Sequence, residues 1–133
     1  MKIFCTLLNS LILFTFLTIG MVGIPSMVES QAPAFLSVID DLPLMPGLRE
    51  DIDGSLSFDM ANGRIAETKA LGLVDPEVIT EYYARTLPQL GWKLKTLVRY
   101  LREDEVLSID IVKINAVNAQ VVVYFRLSPA GTK

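Results

Sequence analysis

Ile3 to Ile24 form one unbroken run without a charged side chain, and beyond it the hydrophobic positions fall into two periods. From Ser55 to Met60, the residues Leu56, Phe58 and Met60 alternate with Ser55, Ser57 and Asp59, the two-residue period of a strand with one buried face. Asn62-Gly63 follows, a pair that tolerates positive φ at the centre of a hairpin turn, so a second strand is predicted over 64–71. That turn sets Met60 opposite Ile65, Phe58 opposite Glu67 and Leu56 opposite Lys69, which places Glu67 and Lys69 on the apolar face unless a bulge flips the register. Glu67 then reads either as a long side chain snorkelling at a sheet end or as a half-buried carboxylate in a cleft.

The period changes at Asp75-Pro76-Glu77, which combines an N-cap acceptor, a proline at the first helical position and an acid favoured by the helix dipole. Val78, Ile79, Tyr82, Tyr83, Leu87 and Leu90 recur at helical spacing, with Glu77, Glu81 and Arg85 on the other face. Pro88 ends or tightens the helix near Leu87, and Gly91 supplies a left-handed terminator. Three strands are predicted after it, over 92–101, 106–114 and 120–128. In the last two, Leu107, Ile109, Ile111 and Val121, Val123, Phe125, Leu127 mark one buried face each. The loops between them, Arg102-Glu103-Asp104-Glu105 and 115–119, are short enough for hairpins. The expected class is therefore α+β, in the order ββαβββ, with one helix across one face of an antiparallel sheet.

Residues 31–54 carry Pro33, Pro43 and Pro46 and read as an extended arm preceding the domain at 55–133. Leu42, Leu44, Met45 and Leu48 make that arm too apolar for a solvated linker, so it either docks on the body of the domain or offers a strip to a partner. Residues 1–30 read as a signal peptide or a membrane anchor. Lys2 precedes the apolar run, the next positive side chain is Arg49, and Val28-Glu29-Ser30 offers small residues for cleavage before Gln31. The domain is expected outside the cytoplasm, periplasmic or held at the inner membrane through residues 3–24 alone.

Composition narrows the chemistry. The 133 residues hold 12 Lys+Arg, 15 Asp+Glu and no histidine, and removing 1–30 leaves 103 residues with the net charge still -3. No basic cluster is available for nucleic acid. The one cysteine, Cys5, lies in the leader, so the exported part has no disulfide and relies on packing. The serines lack a histidine partner and a glycine-flanked elbow, no phosphate-binding glycine loop is present, and no cofactor motif or metal-ligand set is recognisable. Glu50-Asp51-Ile52-Asp53-Gly54 shares composition with the start of a calcium loop but lacks the glutamate at the twelfth position and the flanking helices, so it reads as a solvated acidic turn. An enzyme would need Glu67 or Asp59 as its acid or base.

In Asp41-Leu42-Pro43-Leu44-Met45-Pro46-Gly47-Leu48, Gly63-Arg64-Ile65-Ala66-Glu67 and Leu87-Pro88-Gln89-Leu90-Gly91-Trp92 the chain resembles an uncharacterised family of small exported proteins from alphaproteobacteria. The resemblance implies an exported location and a helix packed on an antiparallel sheet, and it implies no activity. Two functions are compatible with these features. The first is a non-catalytic envelope module that binds another envelope protein through Leu42, Leu44, Met45 and Leu48 or through an exposed sheet edge. The second is a carrier or sensor of a small apolar ligand held between helix and sheet by Tyr82, Tyr83 and Trp92, with Arg64 or Glu67 fixing a polar head.

Overall fold

The computed structural model describes residues 34–115 and 120–131; the leader expected over 1–30 and most of the loop expected over 115–119 lie outside them. Seven strands and one helix follow in the order β1 (Leu48–Glu50), β2 (Leu56–Met60), β3 (Gly63–Leu73), α1 (Pro76–Thr86), β4 (Lys93–Thr96), β5 (Arg99–Arg102), β6 (Glu105–Asn115) and β7 (Gln120–Pro129). The class is α+β, an antiparallel sheet with a single helix. Among the described residues, no helix is long and apolar enough to cross a membrane.

The helix begins and ends where its capping residues dictate. The Asp75 carboxylate accepts from the Glu77 N–H at 3.0 Å, Pro76 occupies the first turn, and Ile79 and Tyr83 form the buried stripe. A 3-10 turn over Leu87–Leu90 accommodates Pro88, and Gly91 at φ 85 closes it in the left-handed region.

The sheet runs β1-β3-β7-β6-β5-β4, with β2 also paired to β3. β1 and β2 therefore share one edge, β1 against Ala70–Gly72 and β2 against Gly63–Glu67, separated by a 3-10 turn at Ile52–Gly54. The long hairpin of β6 and β7 matches the predicted alternation, and its inner residues line up in rows with β3: Ala66, Leu127 and Leu107; Thr68, Phe125 and Ile109; Ala70, Val123 and Ile111. Those rows form the floor of the core.

Three expectations need correction. The order ββαβββ becomes βββαββββ, because Leu48–Glu50 of the arm adds a strand against β3 and the strand expected over 92–101 is two, β4 and β5, folded about Leu97 and Val98. The β2–β3 reversal falls one residue early, on Ala61 and Asn62, because Gly63 at φ 134 takes a positive φ and Asn62 does not, so the pair does not form the centre of the turn. Phe58 consequently faces Ile65 and Leu56 faces Glu67. The third correction concerns burial. Leu56, Phe58 and Met60 were expected to face the core, yet all five residues of β2 are exposed, because β3 turns its small residues Ala66, Thr68 and Ala70 inward. The β2 apolar column belongs to the outer face of the sheet.

The arm fills the space that the single helix leaves over the inner face. Leu36, Ile39, Leu42, Met45 and Leu48 recur every third residue and are all buried, and Leu44 is partly buried against them. Tight turns carry this spacing, with Leu42 N–H donating to the Ile39 carbonyl and Leu48 N–H to the Met45 carbonyl. Three polar anchors fasten the arm. The Glu50 carboxylate accepts from the Ser37 N–H and hydroxyl and from the buried Thr68 hydroxyl at 2.8 Å. Asp41 pairs with Arg102. The Tyr83 hydroxyl donates to the Pro43 carbonyl at 3.1 Å and accepts from the Met45 N–H at 3.3 Å.

Tyr83 gives the fold an alkaline limit. Burial pushes its phenol far above the ordinary range, more than the Met45 hydrogen bond pulls it down, so the folded state disfavours the phenolate that the unfolded chain forms freely near pH 10. Its contribution is complete below about pH 10 and is lost above it at up to about 1.4 kcal/mol per pH unit. Melting temperatures should hold between pH 8 and about pH 10 and fall above it. In Tyr83→Phe the slope should be shallower, from a baseline lowered by about 1–3 kcal/mol because the Met45 N–H and Pro43 carbonyl lose their partner.

Candidate functional site

The arm and helix cover only the inner face, and two surfaces of the described chain combine exposure with apolar side chains. The first is the outer face with its β2 edge. Its centre is a charged lattice, with Arg126 reaching Glu67 at 3.4 Å and Asp110 at 3.7 Å, and Lys69 reaching Asp51 at 3.1 Å. Beside this lattice Phe58 is 61% exposed and Met60 51%, an unusual display for a strand interior. The opposite edge is built differently. β4 reads Lys93-Leu94-Lys95-Thr96, and lysines on an edge discourage further pairing.

The second surface is a groove of about 270 Å³ where the start of α1 stands away from the β4–β5 turn. Pro76, Thr80 and Tyr83 line its helix side, and Leu97, Val98, Tyr100, Ile109 and Ile111 its sheet side. It is mostly apolar. The Thr80 hydroxyl is already bonded to the Pro76 carbonyl at 2.8 Å, and burial raises the Tyr100 phenol above its ordinary pKa.

The five residues expected to frame a ligand are not brought together. Tyr82 and Tyr83 meet edge to face with ring centroids 5.0 Å apart, but Tyr83 continues into the core against Phe125 at 5.5 Å. Glu67 projects from the outer face, on the far side of the sheet from Tyr83, and Arg64 sits opposite Asp59 near the hairpin turn. Trp92 is buried elsewhere, under Arg102, whose guanidinium carbon lies 4.2 Å from the ring centroid. Burial pulls the Arg102 pKa down, and the hydrogen bonds and charges of Asp41 and Glu105 outweigh it, so that cation is held above its ordinary value. Of the five residues, Tyr83 alone also lines the groove.

Leu42, Met45 and Leu48, expected as a partner strip, are core residues of this chain, with Leu44 packed against them. The acidic run at 50–54 diverges, since Glu50 turns in to Thr68 and Asp51 out to Lys69. Among the described residues, no three His, Cys, Asp or Glu side chains converge on a metal position. The groove residues Leu97 and Val98 escaped sequence reasoning, although two adjacent apolar residues between Lys95 and Arg99 break the alternation and mark the turn that exposes them.

No family model matches the sequence, and comparison with curated proteins and with solved structures likewise gives no match.

Proposed function

We propose that the chain is a non-catalytic module of the cell envelope that binds protein through β2. One observation carries this reading: an edge strand displays Leu56, Phe58 and Met60 to solvent along its whole length, while the opposite edge carries Lys93 and Lys95. A sheet edge offers a new strand a ready row of backbone donors and acceptors, and the alternate side chains beside it supply selectivity. The carboxylates considered for catalysis suit this role better. Glu67 is engaged by Arg126, and Asp59 lies on the exposed edge. The apolar leader at 1–30 supports an exported location, either with the leader removed or with residues 3–24 retained as an anchor.

A photo-crosslinking amino acid placed at Phe58 in cells should yield a protein adduct, and one placed at Leu94 on the lysine-bearing edge should not. An adduct pattern identical at the two positions, or none at either, would rule out β2 as the binding edge.

The groove supports a second reading, a small apolar ligand bound at Leu97, Val98, Tyr100 and Ile111. Native mass spectrometry of the protein taken from its own envelope should then show a small-molecule adduct that Val98→Glu abolishes, whereas a bare chain removes this reading.

A further inference from the structure

We infer that the partner of β2 is a second copy of this chain, joined edge to edge about a two-fold axis through Phe58. The inference rests on the reading of β2 as a binding edge and adds the identity and register of what binds.

The backbone directions come first. The Asp51 N–H donates to the Lys69 carbonyl at 2.9 Å, so the odd-numbered residues of β3 direct their N–H and C=O groups toward this edge. The β2–β3 register runs without a shift, pairing Gly63, Ile65 and Glu67 with Met60, Phe58 and Leu56. Those three β2 residues therefore turn their backbone groups to β3. Ser57 and Asp59 turn theirs outward, leaving two donors and two acceptors on the open edge.

Two copies can satisfy those groups together in one register. With Phe58 opposite its own copy, Ser57 pairs with Asp59 of the second copy on each side of the axis, forming two hydrogen-bonded pairs and four backbone bonds. Phe58 then occupies the non-hydrogen-bonded position, where side chains approach most closely, and the rings of the two copies meet on the outer face. Leu56 lies opposite Met60 of the second copy, so the two apolar columns merge. Charge selects the same register. Moving the axis to Asp59 sets two carboxylates face to face, which is destabilising, and moving it to Ser57 leaves Met60 without an apolar partner.

The polarity of Leu56-Ser57-Phe58-Asp59-Met60 reads the same in both directions, as an isologous contact requires. The alternative contact, β2 against β4 of the next copy, would attract Asp59 to Lys93 or Lys95 but is heterologous, so it would build rings or open chains and not a two-fold pair. Five residues a side is a small interface, which sets the expected dissociation constant on the order of micromolar.

Phe58 is exposed, so it can be replaced without disturbing the core. The test uses the full chain in its own envelope with Cys5→Ser in the background, comparing Phe58→Cys with Lys95→Cys after addition of a mild thiol oxidant. Phe58→Cys should give a reducible band of twice the chain mass, because opposed non-hydrogen-bonded positions lie within disulfide reach. Lys95→Cys should not. Sedimentation of the purified protein should show a reversible dimer at micromolar concentration, weakened at least tenfold by Phe58→Asp.

A Phe58→Cys crosslink to a polypeptide of another mass overturns the self-pairing and keeps β2 as a binding edge. Crosslinking at Lys95→Cys together with open-ended growth in sedimentation overturns the two-fold arrangement. A folded Phe58→Cys chain that forms no crosslink, with a monomeric wild type, overturns both this inference and the reading of β2 on which it rests.

Discussion

Replacing Leu42 with alanine is expected to destabilise the domain by about 2–5 kcal/mol, although the residue belongs to a proline-containing arm outside the helix and the long strands. Leu42 is fully buried, and its carbonyl accepts from the Leu36 N–H while its own N–H donates to Ile39, so the surrounding turns are fixed and cannot collapse into the vacated space. A small domain has about 5–15 kcal/mol in all, which makes this loss a large part of the total. Urea unfolding would measure it through a lower midpoint at unchanged slope. A midpoint shift worth under about 0.5 kcal/mol, the range of surface substitutions, would show that the arm is dispensable. By the same reasoning, deletion of residues 31–47 should prevent folding, and should not yield a folded domain that merely lacks a partner site.

Trp92→Ala is the second large effect, expected at about 3–5 kcal/mol. Trp92 is 1% exposed, sits at the exit of the 3-10 turn, and carries the Arg102 guanidinium on its ring. Removing the indole opens a cavity and also withdraws the platform from a cation that ties Asp41 of the arm to Glu105 of β6. The indole Nε1 is buried and has no hydrogen-bond partner among the described residues. Trp92→Phe therefore forfeits area and no hydrogen bond, and should cost markedly less than alanine. Equal losses for the two variants would show that the indole nitrogen, and not the ring surface, stabilises this corner.

The parts of the fold legible in the sequence are those fixed by local chemistry. Asp75-Pro76 and Gly91 bound the helical segment because capping and left-handed backbone are properties of a few adjacent residues. The β6 and β7 alternation survives because both strands are central and bury the face that carries most of their apolar residues. Alternation alone cannot say which face of an edge strand is covered. Leu56, Phe58 and Met60 read as a core column, yet the burial of β3 is decided by Ala66, Thr68 and Ala70, whose small side chains admit the Ser55–Thr68–Glu50 hydrogen bonds and the arm behind them. Even the arm has a period, three residues from Leu36 to Leu48, but turns at that spacing follow neither the helix nor the strand template. The candidate site was less legible for the same reason. Helical spacing puts Tyr83 in the core, where it lies, and the alternative ligand role for Tyr83 and Trp92 gives way to packing, whereas the exposed surfaces arise from Phe58, Leu97 and Val98, whose placement depends on where two turns fall.

The position of β7 also bears on the order in which the sheet can form. It is the last strand described in the chain and one of the innermost in the sheet, joining β3 on one side to β6 on the other. Until it arrives, β1 to β3 and β4 to β6 are two separate ribbons with no strand pairing between them, each exposing backbone groups that β7 alone can satisfy. In a chain that emerges from its N-terminal end, the sheet therefore stays unfinished until residues 120–129 have followed. Its β2 edge is open throughout that interval, so premature association between neighbouring chains would begin at that strand.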